Sequence, residues 1–223
     1  MIDILYRDES IVVCVKPFRV LSTDEPGGMP DLIREALGDP KIKVRTVHRL
    51  DRVVGGLMVY GLTAAAASAL SMQIRKDTFL KEYLAVIHWR PKDAEGTYWD
   101  LLVRDEKTRK TYVTNTPGKG VQEAILHYHL MDNRQGFSLV RIRLQTGRTH
   151  QIRAQFSHRG TPLAGDRKYS KYPDPEDWQI ALLSSHLSFA HPDTGAKMDF
   201  CLPPPKTEPW VYFSNHVDGG KSS

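Results

Sequence analysis

The chain has few cysteines and no N-terminal segment with the pattern of a secretory signal. Its 223 residues include two cysteines, Cys14 and Cys201, which are too few for a disulfide framework or a cysteine-based zinc site. Both lie in apolar, strand-like stretches, so both are predicted to be buried thiols. Because the N-terminus lacks the basic and apolar regions of a signal peptide, a reducing, cytoplasmic setting is expected.

One long stretch without charged residues, residues 53–74, has the length of a membrane span. Its pattern instead predicts two shorter elements. Residues 57–60 form a short apolar strand that Gly61 interrupts, and Thr63 caps an alanine-rich helix over residues 64–74. The sequence therefore predicts no membrane association, and nothing in it demands more than a monomer.

Neither charge sign dominates the chain. The 31 Lys and Arg residues exceed the 26 Asp and Glu residues enough to give a net charge of +5. This balance is compatible with a polyanionic partner but does not demand one. The length suits one large domain or two small lobes, and a hydrophobic content of 40% can fill a core. Predicted strands outnumber helices and are joined mainly by hairpins, which indicates an α+β fold with a mostly antiparallel sheet.

Two short segments carry the chemistry. In the first, residues 47–52, the carboxylate of Asp51 lies in sequence between Arg49 and Arg52. The second, residues 145–153, supplies a group of donors that includes Arg148 and Arg153. A carboxylate among guanidiniums is expected to stay ionised, which suits a nucleophile or base, and guanidiniums also bind phosphates. Together the segments predict an enzyme that acts on a nucleic acid.

These segments resemble the signatures of the RluA family of RNA pseudouridine synthases. The first contains the family's His-Arg-Leu-Asp motif at residues 48–51, followed by Gly-Leu-Met at 56–58, and the second reads Thr-Gly-Arg-Thr-His-Gln-Ile-Arg at 146–153. Further matches are Lys16-Pro17, Lys81, Tyr83, Val86, the segment 162–166, Tyr169 and the segment 191–195. The two signatures in this order are much more specific than either one alone.

The resemblance implies a cofactor-free enzyme that isomerises particular uridines in structured RNA, either ribosomal or transfer RNA. Its fold would be the α+β pseudouridine synthase fold, with a mixed, mostly antiparallel sheet in two halves, flanking helices and a central catalytic cleft. The catalytic domain would cover residues 1–213, and residues 214–223 would form a disordered tail. The reaction requires no metal and no redox cofactor.

The resemblance also implies roles for individual residues. Asp51 would be the essential carboxylate, Tyr83 would take a proton, and Arg153 would pair with the aspartate. Arg49 would fill the space that the flipped base vacates, and Leu163 would pack beneath the uracil. The remaining predicted contacts to the substrate are His48, Arg52, Arg148 and His150. Arg167 and Lys168 are expected to contact phosphates.

Two departures from the family pattern keep other functions open. Val54 and Gly55 stand where relatives usually carry Thr-Ser, and Arg19 stands where a turn glycine is common. The first departure leaves room for a protein of the same fold that binds or folds RNA without catalysis. A hydrolase that uses Asp51 with His48 or His150 is a weaker alternative, because the chain lacks a recognisable nucleophile turn. The charged residues 107–110 are predicted to form a solvated turn, with contact to RNA as the alternative.

Overall fold

The structure is a computed structural model that describes residues 2–216. The chain divides into two compact units. The first unit contains the residues up to Lys81 together with Leu183–Leu202, and the second contains Glu82–Leu182 and the residues from Pro203 onward. The first unit is therefore built from two segments that are distant in sequence.

The first unit combines six strands with two helices. The strands are β1 (Ile4–Arg7), β2 (Ile11–Lys16), β3 (Arg45–Thr46), β4 (Gly55–Gly61), β10 (Leu182–Ala190) and β11 (Lys197–Cys201), and the helices are α1 (Met29–Leu37) and α2 (Ala64–Arg75). Strand β2 lies between β1 and β4 and is antiparallel to both. Strand β10 runs parallel to β4 and antiparallel to β11. This part of the sheet is mixed.

The core of the first unit explains why these elements form. Buried aliphatic residues of β2 and β4 pack with one side of α2 and with Phe79 and Phe189, whose rings stack at 5.0 Å. The hydroxyl of Thr63 accepts a hydrogen bond from the backbone N–H of Ala66 and so caps α2. Gly38 ends α1 in the left-handed conformation that glycine adopts easily. Within the described residues, no helix is both long and apolar enough to cross a membrane.

The second unit is an antiparallel sheet with one short α-helix against it. Its elements are β5 (Leu80–His88), β6 (Glu95–Asp105), β7 (Lys110–Thr114), β8 (Gln122–Arg134), β9 (Phe137–Leu144), α3 (Gln151–His158) and a 3-10 helix (Trp210–His216). The strands follow the order β5-β9-β8-β6-β7. Ala154 of α3 packs on Leu102 and Ala124, and Phe156 contacts the rings of Tyr98 and Tyr128. This packing fixes α3 against the sheet.

The observed architecture confirms the predicted fold class, a mixed and mostly antiparallel sheet with flanking helices. One prediction about the cysteines is wrong. Cys14 is buried, and burial raises the pKa of its thiol to about 12, whereas Cys201 is exposed on β11, a strand that alternates exposed and partly buried positions. The predicted tail, residues 214–223, is described only to His216, and the remainder lies outside the described residues.

Candidate active site

The loop that carries Asp51 connects β3 to β4 and is anchored on both sides of the carboxylate. On one side, the hydroxyl of Ser22 accepts from the backbone N–H of Leu50 at 3.0 Å and donates to its carbonyl at 2.9 Å. On the other side, the carbonyl of Asp51 accepts from the N–H of Val54 at 2.9 Å, which closes a tight turn. Leu50 is buried and Asp51 is half-buried. The backbone therefore holds the aspartate in a defined position.

Lys16 is a buried cation beneath this loop. Its ammonium donates hydrogen bonds to the carbonyls of Pro17, Val20 and Arg52, at 2.9, 2.7 and 3.3 Å. Burial lowers the pKa of Lys16 to about 8, and the negative charge of Asp51 opposes that shift. Lys16 thus anchors the residue that follows Asp51 and places a positive charge in its field. The sequence marked Lys16 only as part of a motif match, because its contact with Arg52 spans 36 residues.

His48 lies beneath the same loop. Its Nε2 atom accepts from the backbone N–H of Val59 at 3.2 Å, and its ring packs 5.7 Å from that of Phe79. Burial and the charge of Lys81 lower the pKa of His48 to about 3, so the imidazole is neutral near pH 7. The Nδ1 atom is also buried and has no hydrogen-bond partner among the described residues. These surroundings favour a role in supporting the loop over the predicted contact with substrate.

The arginines on either side of Asp51 are more exposed than His48. Arg49 and Arg52 are both exposed, and the Nε atom of Arg52 donates to the carbonyl of Arg19 at 3.0 Å. Arg19 adopts a positive φ of 65°, at the position where relatives usually carry glycine. Exposed guanidiniums next to a held carboxylate are suited to binding RNA phosphates or stacking on bases.

The glycines that follow the loop allow a close approach of two strands. Gly56 has a φ of +119°, and a Cβ atom there would lie 2.3 Å from the carbonyl oxygen of Ser184 on β10. A Cβ atom at Gly55 would lie 3.0 Å from the ring of Phe18. The serine that relatives carry at position 55 would therefore require Phe18 to move. The departure at Gly55 fits local packing and leaves the Asp51 loop intact.

Tyr83 and Leu163 occupy buried positions in the second unit. Tyr83 lies on β5 opposite Ile142 of β9 and is 6% exposed. Leu163 is fully buried. It forms an isolated bridge with Ile87, which lies two residues after Ala85 on β5. Hydrogen bonds on both sides, from His88 to Pro162 and from Ala164 to Val86, fix its backbone. An apolar side chain held in this way can present a fixed surface to a planar base.

Arg153 is held by a buried carboxylate. Its Nε and Nη2 atoms donate to the two oxygens of Asp166, each at 2.7 Å. Arg153 is 5% exposed and the side chain of Asp166 is fully buried. One oxygen of Asp166 also accepts from the backbone N–H groups of Lys168 and Tyr169. A bidentate pair of this kind fixes the plane of a guanidinium, so Asp166 is a positioning residue that the sequence did not reveal.

Tyr169 contacts two residues of the second signature, His150 and Arg153. Its ring centre is 4.9 Å from the guanidinium carbon of Arg153, and its hydroxyl is 2.8 Å from Nδ1 of His150. The hydroxyl also accepts from the backbone N–H of Thr111 at 2.7 Å. His150 precedes α3 in a left-handed conformation with a φ of 55°. The structure therefore brings His150 and Arg153 together around one aromatic ring.

Arg148 is used within the fold. Its Nε atom donates to the carbonyl of Glu123 at 2.8 Å, and its backbone N–H donates to the side-chain oxygen of Gln151 at 3.0 Å. Gln151 also accepts from Thr146 and donates to the carbonyl of Ile125. The polar residues of this signature therefore tie the loop before α3 to β8. Gln151 is a buried structural residue that the motif contained without indicating its role.

Few groupings in the described residues offer metal ligands. His186, Asp199 and Cys201 have ligand atoms within 4.8 Å of one another on β10 and β11. Nε2 of His186 already bonds Asp199 at 3.0 Å, and Nζ of Lys197 lies 3.2 Å from the same carboxylate. This grouping is satisfied as an ion-paired surface cluster. His127 and His129, two apart on β8, contact Thr97 and Glu95 respectively.

The predicted site residues thus divide between the two units. The first unit contains His48, Arg49, Asp51 and Arg52, and the second contains Tyr83, Arg148, His150, Arg153 and Leu163. The described contacts add Lys16, Asp166 and Tyr169 to the residues that position these side chains. The pairing of Arg153 with Asp51 stays a prediction.

Known proteins resemble this chain over most of its length. Residues 10–158 match the family described as RNA pseudouridylate synthase. An uncharacterized RNA pseudouridine synthase of Bacillus subtilis, YlyB, is 31% identical, and the alignment covers 92% of this chain and 70% of that protein. Ribosomal large subunit pseudouridine synthase D of Salmonella typhimurium is 34% identical, with coverage of 92% and 68%.

Solved structures show the same fold. Human RNA pseudouridylate synthase domain containing 1 superposes with a TM-score of 0.79 at 20% identity, covering 93% of this chain and 85% of the human chain. The domain containing 4 protein gives a TM-score of 0.77, also at 20% identity, covering 96% and 92%. The family match covers more than half of the chain and includes the loop that holds Asp51. The chain belongs to the RluA family of RNA pseudouridine synthases and is an isomerase that acts on RNA.

Proposed function

We propose that Asp51 is the essential carboxylate with which this enzyme converts uridine to pseudouridine in structured RNA. The observation that supports this assignment is the double anchoring of the Asp51 loop by Ser22 and Lys16. Precise positioning of a reacting group can supply several kcal/mol of the barrier reduction. A surface aspartate that merely solvated a loop would need neither anchor.

The reaction rearranges bonds without net oxidation. The bond from the ribose C1′ to the uracil N1 breaks, the base turns, and a new bond forms between C1′ and C5. The hydrogen on C5 leaves as a proton, and N1 gains a proton. Each form of this mechanism needs an ionised carboxylate beside the sugar or the base, and the cation of Lys16 favours that form of Asp51.

Other residues have complementary roles in the proposal. Tyr83 takes the proton from C5, and the plane of the Arg153 guanidinium, fixed by Asp166, orients the catalytic carboxylate. Leu163 supports the face of the uracil. Exposed Arg49 stacks in the space that the uridine leaves when it flips, which offsets part of an unstacking cost of a few kcal/mol.

Large-subunit ribosomal RNA is the proposed substrate. Relatives in Salmonella typhimurium and Haemophilus influenzae are named ribosomal large subunit pseudouridine synthase D, at 34% and 32% identity. Transfer RNA is the comparison substrate in the test. The proposal includes a monomeric enzyme that acts in the cytoplasm.

The test is release of tritium from RNA labelled at C5 of its uracils, because C5 loses its hydrogen only when the base is rejoined there. Wild type should release tritium from ribosomal RNA, and Asp51→Asn should reduce release at least about a thousandfold because the amide cannot replace an ionised carboxylate. Asp93→Asn, an exposed change of the same kind, is the control and should match wild type. Substantial release by a folded Asp51→Asn enzyme would reject the assignment.

A further inference from the structure

Positive charge is concentrated in one part of the second unit. Five residues form what we call the cation cluster: Arg104, Arg109, Lys110, Arg153 and Lys168. Partial burial, and then the charges of the other four residues, lower the pKa of Lys168. Like charges disfavour one another's charged forms, so the other four cations lie close enough to Lys168 to act on its charge.

The end of the β6–β7 hairpin docks on the segment that contains Lys168. Asp105 fixes the turn by accepting from the backbone N–H groups of Lys107 and Thr108. Beyond the turn, Thr111 donates from its N–H to the hydroxyl of Tyr169 at 2.7 Å and from its own hydroxyl to the carbonyl of Thr149 at 2.9 Å. The turn predicted to be solvated is therefore attached, through Thr111, to the residues around Arg153.

Tyr169 lies between two of these cations. The ammonium of Lys110 is 6.0 Å from the ring centre, and the guanidinium carbon of Arg153 is 4.9 Å from it. Arg104 lies directly across the hairpin from Thr111. The register of the two strands thus places Arg104 and Lys110 at the end of the sheet that Tyr169 contacts.

The neighbouring carboxylates leave part of the cluster's charge unpaired. Asp166 is engaged by Arg153 and by two backbone N–H groups, and Asp105 is engaged by its own turn. Glu106 is 81% exposed on its side chain and contacts Arg104 only through Nε, at 3.4 Å. In the part of the chain that the structure describes, Lys110 and Lys168 form no ion pair, and the buried Nη1 of Arg104 has no acceptor.

We propose that the cation cluster is a binding site for a backbone phosphate of the RNA, with Arg104, Lys110 and Lys168 as its ligands. The inference rests on the proposed function, because RNA is the polyanion that this enzyme handles. A phosphate offers several acceptor oxygens to converging donors, and it satisfies Nη1 of Arg104 and relieves the repulsion around Lys168. Through Tyr169 and Arg153, the bound phosphate fixes the RNA strand relative to α3.

The experiment compares the salt dependence of RNA binding between two triple variants of the full chain. The first is Arg104→Gln/Lys110→Gln/Lys168→Gln. The matched control is Lys41→Gln/Lys43→Gln/Lys92→Gln, which removes the same charge from exposed positions elsewhere. The probe is a fluorescent oligouridylate, and its dissociation constant is measured over a range of salt concentrations. Circular dichroism and thermal melting establish that each variant is folded.

Loss of the bound phosphate should reduce the slope of log affinity against log salt by about 0.7, which is the contribution of one neutralised phosphate of a single strand. The control should reduce it much less. A second variant, Lys110→Gln/Lys168→Gln, retains the partly buried Arg104 and should reduce the slope in the same direction if the triple variant fails to fold. The proposal is rejected if the cluster variants match the control, or if wild type does not bind the probe.

The outcome is separable from that of the proposed function. Tritium release by wild type is measured independently of probe binding. Binding that depends on the cluster without any release would reject the proposed function and retain the phosphate site. If wild type releases tritium but the cluster variants keep the full salt slope, the proposed function is retained and the phosphate site is rejected.

Discussion

Asp51 and Lys16 belong to the same site, but they differ in how easily the sequence reveals them. Asp51 is recognisable because its motif is contiguous, with arginines on both sides. Lys16 belongs to the same site, but its hydrogen bond to the carbonyl of Arg52 connects β2 with a loop far along the chain. Contacts of this kind depend on the register between strands, which local patterns do not encode. The carboxylate was therefore predictable and its buried cation was not.

His48 makes a testable contribution to stability at acid pH. In the folded protein its pKa is lowered to about 3, whereas the unfolded chain binds a proton near the ordinary value of 6.5. Below pH 6.5 the unfolded state therefore binds more protons, and the free energy of unfolding falls as the pH falls. Between pH 6.5 and pH 5 the loss is roughly 2 kcal/mol. Replacement of His48 by Gln, whose side-chain oxygen can still accept from the N–H of Val59, should remove this loss of stability.

Urea unfolding of wild type and His48→Gln at several pH values measures this effect. The variant should lose less stability than wild type on acidification. His127→Gln, an exposed substitution on β8, is the control and should retain the wild-type slope. Equal slopes for wild type and His48→Gln would show that His48 is not the acid-sensitive group.

Elements with local signals were predictable. The helix that Thr63 caps appears close to its expected position, because caps and glycines are local features. Strand β10 had no such prediction, since its parallel partner β4 lies more than a hundred residues earlier. The exposure of Cys201 was likewise not predicted. Side chains alternate between the two faces of β11, and Cys201 lies on the more exposed face.

The pairing of β4 with β10 depends on Gly56. An alanine there would place its Cβ atom 2.3 Å from the carbonyl oxygen of Ser184, at a φ of +119°. Strained backbone and overpacking each cost about 1 to 3 kcal/mol, so Gly56→Ala should destabilise the protein by about 3 kcal/mol or more. Thermal and urea unfolding measure the loss.

Gly195→Ala is the matched control for this change. Gly195 also has a positive φ, of 70°, but nothing lies within 4 Å of the added Cβ atom. Its cost should be about 1 kcal/mol, from backbone strain alone. If both alanine variants lose the same stability, the contact with Ser184 is unimportant.

At the scale of the whole molecule, the reaction should proceed without added metal. Cleaving the glycosidic bond and rejoining the base through C5 consumes no electrons, and the proposed groups on Asp51 and Tyr83 carry the proton and bond changes. Incubation of the enzyme with EDTA should therefore leave the rate of tritium release unchanged. The RNA is refolded in monovalent salt, and circular dichroism checks that its structure survives chelation.

A different result would identify a metal requirement. If activity fell on chelation while the RNA kept its structure, and Zn²⁺ restored it, the reaction would need an ion. The grouping of His186, Asp199 and Cys201 would then be examined first, by replacing Cys201 with Ser.

The divided first unit has a consequence for how the protein is made. Its sheet receives β10 and β11 from Leu183–Leu202, after the whole segment Glu82–Leu182 has been synthesised. While translation continues, the edge of β4 that will pair with β10 has no permanent neighbour, and unpaired strand edges promote aggregation. The second unit has most of its strands in one continuous stretch and can fold first as the chain leaves the ribosome. We therefore expect the first third of the nascent enzyme to remain unprotected along this edge until its last fifth is synthesised.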